Sequence, residues 1–255
     1  MPPVLTGGVA RWPEFTQVHG ELVFDRGAMR IRNARAKLWG IDLKGVNGEI
    51  ADLAHDPALV IEGGGRGPLT DALRFVATTP IDGWTSHALK EATGNGLADL
   101  QLALQIPLND AAHTTVRGRL TLAGNEVRLR PDIPLLSHAR ARIDFSQRGF
   151  AIQPGSARAL GGELAFDGGL GPDGVVRFNA QGSASAEGLR QAPELGAWVP
   201  RLAGAMSGQA PYKLQVAVRQ GHPELLITSP LTGMALELPA PFAKPAATAW
   251  PLRIQ

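Results

Sequence analysis

Residues 29–40 read MRIRNARAKLWG, apolar and basic positions taking turns. Met29 and Ile31 alternate with Arg30 and Arg32. After Asn33 the phase slips by one, so that Ala34, Ala36 and Leu38 become the apolar set, with Arg35 and Lys37 opposite. A period of two marks a strand with one buried face, and a slip of one residue is what a bulge or turn leaves in the pattern. The basic residues therefore belong to the solvated face of a half-buried strand and not to a nucleic-acid arm.

The alternation recurs along the chain. Leu100, Leu102, Leu104, Ile106 and Leu108 form one row, and Val116, Leu120 and Leu122 form another that faces away from Arg117 and Arg119. Val127 and Leu129 alternate with Arg128 and Arg130, and the pattern returns at Leu214, Val216 and Val218 and at Met234, Leu236 and Leu238. AlaGlyAsnGlu at 123–126 reads as a hairpin turn between two such strands. Helical spacing is confined to two places. Leu69, Leu73 and Val76 share a face before Pro80, with Ser86 placed to cap a second turn running to Gly94; Leu189, Leu195, Val199 and Leu202 are interrupted by Pro193 and Pro200. The expected fold is mainly β and antiparallel, with short helical pieces near 69–92 and 187–205.

The pattern is also duplicated. A shift of 121 residues lays Phe24 on Phe145, Ile31 on Ile152, Ala36 on Ala157, Gly40 on Gly161 and Leu43 on Leu164; Lys37 meets Arg158 and Asp42 meets Glu163. This divides the chain into a first unit at 1–96, a second at 97–208 and the start of a further strand set at 209–255. Repetition on this scale predicts an elongated array whose units extend one sheet.

Residues 24–40 and 145–162, where an alternating strand leads into Ala-x-x-x-Gly, resemble the recurring element of the AsmA-like family. The passages GNGLADLQLALQIPL at 94–108 and SPLTGMALELPAPFAKPAATAWPLR at 229–253 are similar to its YhdP branch. The resemblance implies a bridge-like protein of the Gram-negative envelope, anchored in the inner membrane and crossing the periplasm. Its elongated, curled antiparallel sheet would form a hydrophobic groove that carries phospholipid towards the outer membrane. Its partners would be phospholipid acyl chains and the two membranes, with no cofactor. Groove candidates are the apolar rows: Leu100, Leu102, Leu104, Ile106, Val116, Leu120, Leu122, Val127, Leu129, Leu214, Val216 and Val218.

Composition narrows the alternatives. The 25 basic and 23 acidic residues leave a net charge of only +2, and aromatics are 5% of the chain, so a nucleic-acid module is not expected. There is no Cys, and the six His, at 19, 55, 87, 113, 138 and 222, have no metal-ligand spacing. GluGlyGlyGlyArgGly at 62–67 lacks the Gly-Lys-Ser/Thr of a phosphate loop and reads as a bent strand-to-helix connection. GlySerAlaSerAlaGluGly at 182–188 is no nucleophile elbow. Asp144, Glu163 and Glu237 fall on the polar face of their strands, and Trp39 and Trp84 read as plugs at core ends. No enzyme activity is expected. Two rival readings are a β-rich envelope scaffold that assists outer-membrane protein assembly through its strand edges, and a carbohydrate-binding β-sandwich.

Strand-like sequence runs to AWPLRIQ at the end, as in an internal fragment of a longer groove. Such an edge carries unpaired backbone groups, so the isolated chain should self-associate edge to edge. Sedimentation velocity checks this; a strictly monomeric species at high concentration is the contrary result.

Overall fold

A computed structural model describes residues 13–55, 57–79, 82, 89–110, 113–219 and 222–255. The strand–helix order begins with β1 (Thr16–Asp25), β2 (Ala28–Leu38), β3 (Ile41–Ile50) and β4 (Ala58–Pro68), which runs straight into α1 (Leu69–Thr78). A short β5 (Thr93–Asn95) precedes β6 (Leu97–Pro107), β7 (Thr115–Arg128), β8 (Leu136–Ser146), β9 (Gly149–Ala159), β10 (Gly162–Leu170) and β11 (Val176–Ser185). Then come α2 (Ala186–Arg190), a 3-10 turn (Pro193–Leu195) and α3 (Trp198–Ala203). The chain finishes with β12 (Met206–Arg219), β13 (His222–Ser229), β14 (Met234–Leu236) and β15 (Leu252–Ile254). These strands form one curled, open, antiparallel sheet of 15 strands. Its path is nearly a meander, β1 to β4, then β6 to β13 and β15, with β5 added to β7 and β14 to β12.

Bulges supply the curl. The register slips between Ile31 and Ala34, between Lys44 and Asn47, between Ala123 and Asn125 and between Ser137 and Arg140. A residue with positive φ sits inside each slip: Asn33 (48°), Gly45 (61°), Gly124 (113°) and His138 (54°). An unpaired extra residue bends its strand and raises the local twist, which rolls a wide sheet instead of leaving it flat. The phase slip at Asn33 is one of these bulges, held by the Asn33 N–H donating to Asn47 Oδ1 at 3.0 Å.

Several local expectations are corrected. Residues 123–126 make no hairpin. The Asn125 side chain is buried and ties β7 to its neighbours, Nδ2 donating to the carbonyls of Asn95 and Leu97 (3.0 Å each) and Oδ1 accepting from Ala123 N–H (3.0 Å). The strand therefore continues, and Leu122 and Val127 enter one core cluster despite their opposite parity. Residues 62–67 lie wholly within β4, paired on both sides. The side chains of Val46, Leu43 and Ile41 fill the space that side chains at Gly63, Gly65 and Gly67 would need. Pro193 opens the 3-10 turn and Pro200 sits within the first turn of α3, where no intrahelical partner is needed for the missing N–H. In α1 the buried residues are Leu69, Ala72 and Phe75, while Leu73 and Val76 are half-buried; Thr79 follows its last turn. At the chain end β14 stops at Leu236, and Leu108 stands exposed in the turn after β6. Pro80, Trp84, Ser86 and His87 lie outside the described residues, and with them the expected second helical turn.

The 121-residue relation is visible in detail between β1–β3 and β8–β10. Thr16 Oγ1 donates to the Lys37 carbonyl (3.4 Å) as Ser137 Oγ does to that of Arg158 (3.3 Å). Trp39 and Leu160 open equivalent turns with φ of 52° and 53°. Lys37 pairs with Asp42 at 3.4 Å and Arg158 with Glu163 at 3.2 Å. Each four-strand run ends in a helix, α1 after β4 and α2 after β11, at the same end of the sheet. Asp71 of α1 accepts the Gly40 N–H (3.0 Å), and Arg74 stacks over Trp39 at 4.2 Å.

Replacing Asn125 by Ala removes a donor from two carbonyls and an acceptor from one N–H. A loss of about 1–3 kcal/mol is expected, read as a lower denaturation midpoint in urea with unchanged slope.

Candidate functional site

The apolar residues of successive strands stand directly opposite one another. One row runs Ala36, Leu43, Gly65, Leu100, Leu120, Ile143, Ile152, Gly168, Phe178, Val216 and Leu225, crossing the sheet from β2 to β13. A parallel row runs Leu22, Ile31, Gly48, Ile61, Leu104 and Val116. Side chains alternate between faces, so register alone gathers these residues onto one side.

The structure places the sequence-derived candidates in three groups. Leu100, Leu102, Leu104 and Ile106 of β6 share a face with Val116, Leu120 and Leu122 of β7. Leu214, Val216 and Val218 of β12 occupy the same face farther along, opposite Ala180, Phe178 and Val176. Val127 belongs to the closed core around α1, with Leu38, Ile41, Leu69, Phe75 and Ala98, and Leu129 packs against that core as Leu102, Leu120 and Leu122 of the first group also do.

Burial falls along the strands. On β6, Ala98 and Leu100 are buried near α1, while Leu102, Leu104 and Ile106 are half-buried. On β9, Ala157 and Ala159 are buried, and Phe150 and Ile152 are half-buried. At the β1 edge Leu22 and Phe24 are exposed at 56% and 64%. All described strands belong to one hydrogen-bonded network, and β1 does not pair with β15, so among the described residues no second sheet covers this face. The arrangement is an apolar trough, closed near α1, half-open along Leu102, Leu104, Ile106, Phe150 and Ile152, and closed again locally where Ile50 and Val116 are buried.

Glycines shape the trough floor. The Phe145 ring lies over Gly118, Phe166 approaches Gly155 and Phe178 covers Gly168. Phe150 and Phe178 meet at 5.9 Å although β10 lies between their strands. Only a strand without side chains at that point lets rings from its two neighbours touch. Tyr212 also stands on this face, opposite Gly182, and burial pushes its phenol up from the ordinary value.

The other face is polar, and several of its charges are paired by register. Arg30 meets Glu49 (2.9 Å), Arg66 meets Asp99 (3.9 Å) and Arg119 meets Asp144 (2.6 Å), each directly across a strand pair. Asp144 and Glu163 are thus held by arginines on separate strands, and Glu237 accepts from Ser207 Oγ (3.2 Å), so the three acids do not converge. No three metal-ligating side chains gather among the described residues. Trp39 is half-buried beneath Arg74, and Trp198 is exposed.

Sequence reasoning missed a hollow of about 850 Å³. Gly63, Leu102, Gly118, Phe145 and Phe150 form one cross-strand row, and the hollow is lined by both neighbours of each. These are Glu62 and Gly64, Gln101 and Ala103, Arg117 and Arg119, Asp144 and Ser146, and Gly149 and Ala151; Gly45, Arg148 and Leu170 complete it. Neighbours of an apolar-face residue point to the opposite face. The hollow is therefore a furrow in the polar face, floored by backbone. Its signal in the sequence was the set of small residues (Gly64, Ala103, Gly149, Ala151) at polar-face positions.

A methyl group at Gly118 would land in the Phe145 ring. Gly118→Ala should cost about 1–3 kcal/mol by overpacking, and Phe145→Leu in the same chain should recover part of it. Thermal unfolding of the two single variants and the double variant measures both.

The family model described as "YhdP protein" matches residues 10–255. No curated protein and no solved structure matches. No helix among the described residues is long and apolar enough to cross a membrane.

Proposed function

The chain belongs to the YhdP family, and from that premise and the open trough we propose that it is a segment of a lipid-transfer conduit. The trough shields phospholipid acyl chains on their way between the inner and outer membranes, in the periplasm of a Gram-negative cell. The observation that carries this reading is the apolar face on which Leu102, Leu104, Ile106 and Ile152 are half-buried, with no second sheet over them among the described residues. A water-facing surface of that extent calls for an apolar guest.

The energetics need no reaction chemistry. Exposing an acyl chain of about 16 carbons to water costs roughly 13 kcal/mol, at about 0.8 kcal/mol per methylene. A trough lined by Leu104, Ile61, Leu120 and Ile143, all half-buried, removes most of that cost along the sheet. Because the rows run from strand to strand, a chain lying in the trough crosses the strands and meets equivalent apolar contacts at each step. Movement is then a slide between similar sites with no deep minimum. Catalytic residues and a cofactor have no part in this mechanism.

Leu104 and Gln105 are adjacent on β6 but face opposite sides, Leu104 half-buried and Gln105 exposed. Leu104→Arg places a charge in the acyl path, worth about 2.5–3.5 kcal/mol against hydrocarbon, or roughly a hundredfold in rate. The long side chain can lift its charge to the open mouth, so the variant should fold. Gln105→Arg is the control. Mass spectrometry of lipid co-purified with the chain should show phospholipid with the parent and Gln105→Arg but not with Leu104→Arg, all three having similar melting temperatures. Equal lipid content in all three would defeat the trough reading; so would loss of folding in Leu104→Arg, which is the behaviour of a closed core.

A further inference from the structure

We propose that the furrow in the polar face is a binding site for a phosphate-bearing anion, held by Arg117 and Arg148. The basis is the register around Arg117 and the hollow beside it. Arg119, two residues from Arg117 on β7, is answered directly across the strand pair by Asp144. Arg117 faces Ala103 on one side and Ser146 on the other. Among the described residues neither Arg117 nor Arg148 has a carboxylate within ion-pair distance, yet both line the same hollow.

The surroundings favour an anion. Ala103, Ser146 and Gly149 are small, which leaves room beside the Arg117 guanidinium. Ser146 Oγ accepts the Arg148 N–H at 3.1 Å, so its own hydroxyl proton is left to donate outward. Two guanidinium forks and a hydroxyl offer more donors than the two oxygens of a carboxylate can use, whereas a phosphate group can take them. Of the two acids in the lining, Asp144 is engaged by Arg119 at 2.6 Å. The other, Glu62, stands two strands from Arg117, beyond Ala103, a backbone separation of about 10 Å. The furrow crosses from β4 to β9, roughly 19 Å, with about 7 Å between its two rows of side chains, wide enough for a phosphate ester and its substituent. It lies on the face opposite the trough, so it stands or falls independently of acyl-chain shielding.

The phosphate could be free or part of a lipid headgroup, and the experiment separates the two. The whole chain is titrated with inorganic phosphate by calorimetry and sedimented with vesicles of phosphatidylglycerol or of phosphatidylcholine. Saturable phosphate binding is expected, weakened at least about tenfold by Arg117→Ala or Arg148→Ala, as removal of one charge-assisted donor requires. Ala103→Glu supplies the missing cross-strand partner; it should abolish binding and leave the melting temperature equal or higher. Arg66→Ala, on the same face outside the furrow, should bind as the parent does. Phosphatidylglycerol binding that inorganic phosphate displaces assigns the site to a headgroup, and phosphate binding without vesicle binding assigns it to the free ion. Absence of saturable phosphate binding, or binding that survives Ala103→Glu in a folded chain, overturns the proposal. Should Ala103→Glu fail to fold, unchanged binding by Arg117→Ala overturns it equally.

Discussion

Register between antiparallel strands is the constraint on which everything else depends. A slip of one residue at any pairing would turn a whole strand over and send its leucines to the polar face. The alignment of Leu100 with Leu120, of Leu120 with Ile143 and of Ile143 with Ile152 is therefore what makes a trough out of separate hairpins. The same alignment sets Arg30 against Glu49 and Arg119 against Asp144 on the reverse side. These exposed pairs each contribute little stability, but like charges directly opposite would oppose the register, so the charges and the apolar rows select the same pairing.

The bulges reconcile that register with curvature. Each would flip the faces of the residues beyond it, and the sequence compensates by changing the parity of its apolar set. Met29 and Ile31 give way to Ala34 and Ala36 across Asn33, and Leu122 gives way to Val127 across Gly124 and Asn125. The sheet therefore bends without losing its apolar face. Glycines let neighbouring side chains lean across a strand, as Phe145 does over Gly118. Helices close one end: Leu69, Ala72 and Phe75 of α1 bury the part of the face that Leu38, Ile41 and Ala98 occupy. Elsewhere the chain holds itself by isolated devices. The Lys244 ammonium, for example, is buried and donates to the carbonyls of Leu231, Met234 and Pro245 at 2.7, 2.6 and 3.2 Å. That cluster ties the segment after β14 back onto the sheet.

A trough and a furrow on opposite faces of one layer are two consequences of the same alternation. Apolar residues at one parity create the apolar surface of the trough. Small residues among charged ones at the other parity create a polar hollow whose floor is the backbone of the apolar row. A two-layer sandwich would have filled the first with a second sheet. The single layer leaves both faces available to ligands of opposite character.

By itself the sequence determined the class of fold and the faces of its strands. Period-two alternation is a local property, fixed by the directions of consecutive side chains, and it survives any arrangement of the strands. It placed Leu104 and Arg117 on opposite sides before any partner strand was known, and the phase slip at Asn33 announced its bulge. The turn expected at 123–126 failed because the outcome there hangs on a long-range partner. Asn125 bonds to Asn95 and Leu97, some thirty residues away, and those bonds let a Gly-Asn pair continue a strand. The glycines at 63–67 likewise stayed extended because Val46, Leu43 and Ile41 fill the space beside them. Only the tertiary structure decided that no second sheet covers the apolar face among the described residues, that Val127 and Leu129 lie in the closed end beneath α1, and that among those residues Arg117 lacks the acid which Arg119 has. Each of these depends on which strand lies next to which, and that is a matter of register across the whole sheet.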